Sequence, residues 1–313
     1  MAVKKTPRPV SAATKAKRKT VPKVDRLDAK QLAAKYGYAM ALLKSSKELN
    51  ALFRQALADP KGQWTPERFM AGVRDSKWYQ RHTETWRQTE ALRLQDPKTY
   101  ESNVQDRADE IMMMSVEMGA SVSAAEAKQI ATNAYRNGLT KKEINDLLYQ
   151  QFDLTAANLT GTAGAYGDEL RALASQNGMT YTDSFYTQAG ALIAAGKGTP
   201  EEWEDQIRAE AASQFPVFSD RILAGENARD LASGYVNRMA QTFEIDPATV
   251  TLQDPHLKAA MGGIGPDGEP VAMGLWDFEK RLRQDSRWMG TMAAQSESAQ
   301  VADSVLRSFG FLG

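Results

Sequence analysis

The sequence predicts an all-α fold: a multi-helix array containing a tandem duplicated three-helix module and led by a disordered basic N-terminal arm. Three observations predict it. Apolar residues return at helical spacings along most of the chain, and no window sustains two-residue alternation with β-branched enrichment, so no strand is expected. Residues 109–148 align without gaps to 168–207, at an offset of 59. The first 26 residues are rich in Lys, Arg, Pro, Ala and Thr and poor in large apolar groups, too little to offset the entropy of ordering them.

The arm, residues 1–26, carries Lys4, Lys5, Arg8, Lys15, Lys17, Arg18, Lys19, Lys23 and Arg26 against Asp25, a net charge of +8. The chain is neutral overall, so the remainder carries −8. Such an arm suits an acidic protein surface or nucleic acid.

A helix is expected from Asp28 to about Ser45, interrupted at Gly37, and a second from Lys47 to Asp59 with Leu49, Leu52, Phe53 and Leu57 inward. Pro60-Lys61-Gly62 turns the chain. Thr65 then caps a helix with Pro66 at its first position, running to about Ser76. Trp64, Phe69, Val73 and Trp78 lie on roughly one side of it, and Arg68 and Arg74 point elsewhere. The chain continues helical through Trp86 to Leu94. Asp96-Pro97 opens a long helix, 97–118, stopped by Gly119. Met112, Met113 and Met114 within it read as gap-filling core residues.

In the aligned halves Gly119 matches Gly178, and Ser121-Val122-Ser123 matches Thr180-Tyr181-Thr182. The capping boxes Thr140-Lys-Lys-Glu143 and Thr199-Pro-Glu-Glu202 also coincide. Each half reads helix, glycine stop, cap, helix, turn, capping box, helix. The linker 156–164 is small and polar; it lacks a GK[ST] and a preceding strand, so it is no nucleotide loop.

Beyond Pro216 a short helix holding Phe218, Ile222 and Leu223 ends at Gly225, and Asn227 caps a helix to about Phe243. Asp246-Pro247 and Asp254-Pro255 open short helical turns. Residues 262–270 form the clearest loop, a candidate partner-contacting hairpin. From Trp288 the chain is helical to an apolar tip, Leu306, Phe309, Phe311 and Leu312, that docks on the body or on a neighbour. The expected units are the arm 1–26, an N-terminal helical unit 27–104, the tandem modules 105–215 and a C-terminal helical unit 216–313.

One pattern recurs three times: Phe69–Val73–Arg74, Trp203–Ile207–Arg208 and Phe278–Leu282–Arg283, each followed by Trp78, Phe215 or Trp288. An aromatic and an aliphatic at i, i+4 make a core face. The arginines, with Arg68, are candidates to bridge to partner carboxylates.

No chemistry is legible. There is no cysteine, which fits synthesis in a reducing cytoplasm, and the only histidines, His82 and His256, are far apart in sequence. Carboxylate pairs such as Glu201-Glu202 sit at an expected helix start, where the helix dipole favours them, and Asp109-Glu110 lies within the expected helix 97–118. No enzyme, cofactor, metal site or membrane span is expected.

The phrases Tyr36-Gly-Tyr-Ala-Met-Ala-Leu-Leu43, WTPERFMAGVRDSKWYQRHTETWRQTEALRLQDPKTY from Trp64, and LWDFEKRLRQDSRW with VADSVLRSFG near the end resemble virion proteins of tailed phages infecting actinobacteria. The resemblance covers about residues 30–313 and leaves out the arm. It implies a minor tail or other structural protein, made in the bacterial host cytoplasm and located in the virion. It also implies partners among tail or connector proteins. Homo-oligomerisation is compatible with it. The alternative is an internal, genome-associated or ejected virion protein that binds nucleic acid through the arm. The candidate partner-binding residues are Lys4, Lys5, Arg8, Lys15, Lys17, Arg18, Lys19, Lys23, Arg68 and Arg74.

Overall fold

The computed structural model describes residues 40–58 and 63–309, which form 18 α-helices, two 3-10 turns and one two-residue hairpin. The all-α class stands. The arm, residues 27–39, the Pro60–Gly62 turn and the tip beyond Phe309 lie outside the described residues. The chain divides into two compact units between Glu101 and Ser102.

The first unit contains α1 (Met40–Ser45), α2 (Lys47–Leu57), α3 (Pro66–Asp75), α4 (Lys77–Arg81), α5 (Glu84–Gln95) and the first turn of α6 (Pro97–Met118). Its core is Leu43, Leu49, Phe53, Ala56, Phe69 and Val73, with the Phe53 and Phe69 rings edge to face at 6.2 Å. Thr65 caps α3 as expected, accepting from the Arg68 N–H at 3.3 Å. The elbow between α3 and α4 turns on Ser76. Its hydroxyl donates to the Val73 carbonyl at 2.5 Å and accepts from the Tyr79 N–H at 3.1 Å. Glu48 reaches over from α2, its carboxylate accepting from the Lys77 and Trp78 N–H groups, both at 3.0 Å. Because Ser76 is buried and does both jobs, Ser76→Ala is expected to lower stability by about 1–2 kcal/mol, measurable by urea unfolding.

The helix expected from Trp78 to Leu94 is broken at His82–Thr83. Thr83 takes the extended conformation of a cap and accepts from the Trp86 N–H at 3.2 Å. Arg87 donates back to the carbonyls of Tyr79, at 3.1 Å, and of His82. A threonine oxygen competes with the helix for N–H groups, and apolar spacing on either side does not register the break.

The second unit begins with α6 from Ser102 onward, α7 (Ala124–Asn137), α8 (Lys141–Tyr149), α9 (Gly161–Gln176), α10 (Asp183–Ala194) and α11 (Pro200–Gln214). The starts of α7 and α10, and those of α8 and α11, stand 59 residues apart. Gly119 and Gly178 both adopt positive φ, 90° and 71°, where a side chain would be strained. The first capping box is reciprocal: the Thr140 N–H donates to Glu143 at 2.7 Å and the Glu143 N–H donates back at 3.3 Å. In the second, the Thr199 N–H donates to Glu202 at 3.0 Å. Thr182 makes no such cap; its hydroxyl meets that of Ser184.

Packing does not follow the same repetition. Helices α9 and α10 lie close along their length, whereas α6 and α7 approach far less. Glycines allow the close approach: Gly167 sits beside the Tyr186 carbonyl and Gly190 against the Ala163 carbonyl. The residue aligned with Gly190 in the first half is Ala131. The expected linker 156–164 is shorter than anticipated, because α9 already begins at Gly161, where the Thr162 hydroxyl donates to the Glu117 carbonyl at 2.9 Å.

The chain then forms α12 (Ser219–Leu223), α13 (Ala228–Leu231), α14 (Ser233–Phe243), α15 (Pro255–Met261), a hairpin of β1 (Gly263–Ile264) and β2 (Pro270–Val271), α16 (Leu275–Leu282), α17 (Ser286–Met289) and α18 (Met292–Ser308). One core gathers Ala211, Phe215, Ile222, Met239, Leu257, Phe278 and Leu282, from both sides of residue 215.

Four expectations are corrected here. The helix begun at Asn227 splits at Ala232, and Asn227 does not cap it; its amide donates to Gln176 Oε1 at 2.8 Å. The C-terminal helix is interrupted at Gly290–Thr291, where Thr291 accepts from the Ala294 N–H at 3.1 Å. A strand pair does exist, registered Gly263 with Val271 and Ile264 with Pro270, too short for alternation to reveal it. Finally, the three methionines are not one core cluster. Consecutive helix residues diverge by about 100°, and Met113 is 75% exposed.

Candidate interaction surface

The aromatic and aliphatic members of the threefold pattern serve as core. Phe69, Val73, Ile207, Phe278 and Leu282 are fully buried, and Trp203 is half-buried. Their arginines have separate fates. Arg208 donates to the Glu226 carbonyl at 3.3 Å. Arg283 forks between Glu279 and Glu297, at 3.1 and 2.9 Å, and both carboxylates hold its guanidinium more firmly protonated than usual. Arg68 lies over the Trp64 ring at 5.2 Å and donates to the Gln63 carbonyl at 3.3 Å. Arg74 is exposed. Six positions apart on one helix, Arg68 and Arg74 face directions about 120° apart and form no joint patch. The other candidates, Lys4, Lys5, Arg8, Lys15, Lys17, Arg18, Lys19 and Lys23, lie outside the described residues.

Helix α18 carries several exposed large apolar side chains, Met292, Val301, Val305 and Leu306 among them. Its root is fixed. Glu244, the one non-glycine residue with positive φ among the described residues, aims its carboxylate at the helix start. There it accepts from the Met292 and Ala293 N–H groups at 2.8 and 2.9 Å. A carboxylate at a helix N-terminus satisfies orphan donors and complements the dipole. Ala294 is buried, and Glu297 is held by Arg283. Beyond that point none of residues 295–309 is buried. Val301, Val305 and Phe309 follow at i, i+4 and i+8, Phe309 being 72% exposed. Single exposed apolar residues are ordinary, but a stripe along an uncovered helix marks a contact surface. Sequence reasoning found Leu306 and Phe309 and passed over Val301 and Val305, whose four-residue spacing was the available signal. Glu244→Gln is expected to raise amide exchange of Met292–Glu297 about fivefold while the core amides keep their protection, read by hydrogen–deuterium exchange.

A charged lattice ties α15 to α17 at the same end. The Asp254 carboxylate accepts from the His256 N–H at 2.9 Å and from Arg287 at 2.8 Å. Asp285 accepts from Arg287 at 2.9 Å and from its N–H at 2.8 Å, and meets His256 Nε2 at 2.7 Å. His256 Nδ1 is buried without a partner, so a proton on Nε2, donating to Asp285, leaves no N–H unsatisfied. The Arg287 hydrogen bonds hold Asp285 well below the usual carboxylate range. No local pattern in the sequence links His256 to Asp285 and Arg287, some thirty positions later. His82 stacks on Trp86 with ring centroids 3.6 Å apart and its Nδ1 is 2.7 Å from the Trp78 carbonyl.

Among the described residues no three His, Asp or Glu side chains are grouped so as to hold a metal ion, and no helix is long and apolar enough to cross a membrane. Comparison with family models, with curated proteins and with solved structures gives no match.

Proposed function

We propose that the chain is a non-enzymatic structural protein of a phage virion, associated with the tail or connector, which docks through its basic arm and its helical surfaces. The observation that carries this reading is α18: firmly rooted, then uncovered, with Val301, Val305 and Phe309 presented to a neighbour. The +8 arm on a −8 remainder supports docking onto acidic neighbours. The resemblance of three phrases of the sequence to virion proteins of tailed phages supports a location in the virion.

The test is cryo-electron microscopy of purified particles with mass spectrometry of their contents. Ordered density at the tail or connector, with α18 covered, is the expected result. The arm's charge also suits a genome-associated protein. Presence by mass without ordered density, together with salt-sensitive DNA binding, favours that second reading. Absence from particles overturns both.

A further inference from the structure

We propose that the cleft between the α9–α10 turn and residues 248–253 binds a carboxylate, presented either by a free dicarboxylate or by an acidic peptide side chain. This inference stands independently of the virion reading. The cleft has a volume of about 430 Å³ and is lined on one side by Arg171, Thr180 and Asp183, and on the other by Arg229, Thr249 and Thr251. That volume admits a small ligand or a few residues of an extended chain.

The two guanidinium groups differ. Arg171 is neutralised, held by Asp168 at 2.9 Å and Asp183 at 3.2 Å, and lies 4.7 Å from the centre of the Tyr186 ring. Arg229 is half-buried and donates only to main-chain carbonyls, those of Val250 at 3.0 Å and Pro247 at 2.9 Å. Among the described residues no carboxylate lies within 4.0 Å of it. Two of its five N–H groups are engaged, so the guanidinium is fixed in place and retains donors for a ligand. Around it the Thr180 and Thr251 N–H groups have no main-chain acceptor among the described residues. The Thr180 hydroxyl adds a further donor, and the one carboxylate in the lining, Asp183, is already taken by Arg171.

The lining therefore offers donors and, among the described residues, a guanidinium with no carboxylate paired directly to it. An ammonium ligand is repelled by Arg229 at close range, and a neutral ligand leaves its guanidinium without a directly paired anion. A carboxylate matches the remaining N–H groups in charge and geometry.

The experiment is calorimetric titration of the full-length protein at low salt with two probes, succinate and an end-blocked tetraglutamate peptide. Saturable binding of either, weakened about tenfold or more by Arg229→Gln, is expected. Arg229 also pins the 247–250 segment, so a second variant keeps the test sharp. Thr180→Asp places a carboxylate in the cleft while leaving the bonds of Arg229 intact, and it should weaken binding equally. Binding of succinate assigns the site to a free acid; binding of the peptide alone assigns it to a partner segment. No saturable heat with either probe up to about 10 mM, or binding that Thr180→Asp leaves unchanged, overturns the proposal.

Discussion

Gly190→Ala is expected to destabilise the second unit by about 2–3 kcal/mol, lowering its melting temperature by roughly 5–10 °C in a thermal scan. On an isolated helix the same change stabilises by about 1 kcal/mol, because alanine restricts the unfolded chain and favours the helix. Here a methyl group at residue 190 meets the Ala163 carbonyl oxygen at 2.1 Å and its carbon at 3.0 Å. Both are main-chain atoms, so no rotamer relieves the clash and α10 must move away from α9. That separation loosens Tyr186, Ala189, Leu170 and Ala174, which share the core between the two helices. Gly72→Ala is the control. It also lies within a helix, but among the described residues its new methyl meets only Leu52 and Trp64 side-chain atoms at 3.5 and 3.9 Å. It should be neutral or stabilising by up to about 1 kcal/mol. Destabilisation of similar size by both substitutions would refute the packing argument.

The second large effect belongs to Arg287. Arg287→Ala should lower stability by about 2 kcal/mol at neutral pH, below the 3–5 kcal/mol of a fully buried pair because the guanidinium is 45% exposed. It leaves the carboxylates of Asp254 and Asp285 facing each other's lattice without their cation. The pH dependence carries the sign of a depressed carboxylate. Asp285 titrates lower folded than its ordinary value of 3.8. Its contribution is therefore present in full above that value and is lost as pH falls below it towards the folded pKa. The gap between wild type and variant should thus be widest near neutrality and shrink below about pH 4. Denaturant titrations at pH 7 and pH 3 measure it; a gap that widens in acid would contradict the assignment.

Residues whose signal is local were read directly. Thr65, Pro97, Ser123, Thr140, Asp246 and Asp254 mark helix starts because a cap is chemistry between neighbours. Gly119, Gly178 and Gly225 mark stops for the same reason. What escaped depends on contacts between distant residues. The break at Thr83 is sealed by Arg87 folding back, and the role of Asn227 is fixed by Gln176, which accepts from its amide, and Asn177, which donates to it, some fifty positions earlier. The sequence alignment registers equivalent glycines, capping boxes and helix starts, yet it does not show that Thr182 makes no cap or that one pair of helices approaches closely while the other stands apart. The charged lattice around Arg287 and the cleft at Arg229 escaped for the same reason: their members come from segments separated by turns whose geometry no local pattern specifies.

Helix α18 contributes one buried side chain, Ala294, to the body that carries it. Residues further along it can therefore be exchanged with little penalty to folding, since few native contacts depend on them. Mutation can retune what Val301, Val305 and Phe309 meet while the rest of the molecule stays under its own selection for stability. If α18 is the docking surface proposed above, recognition and architecture are separable traits in this unit, and variation between related chains should concentrate on the outer turns of its last helix.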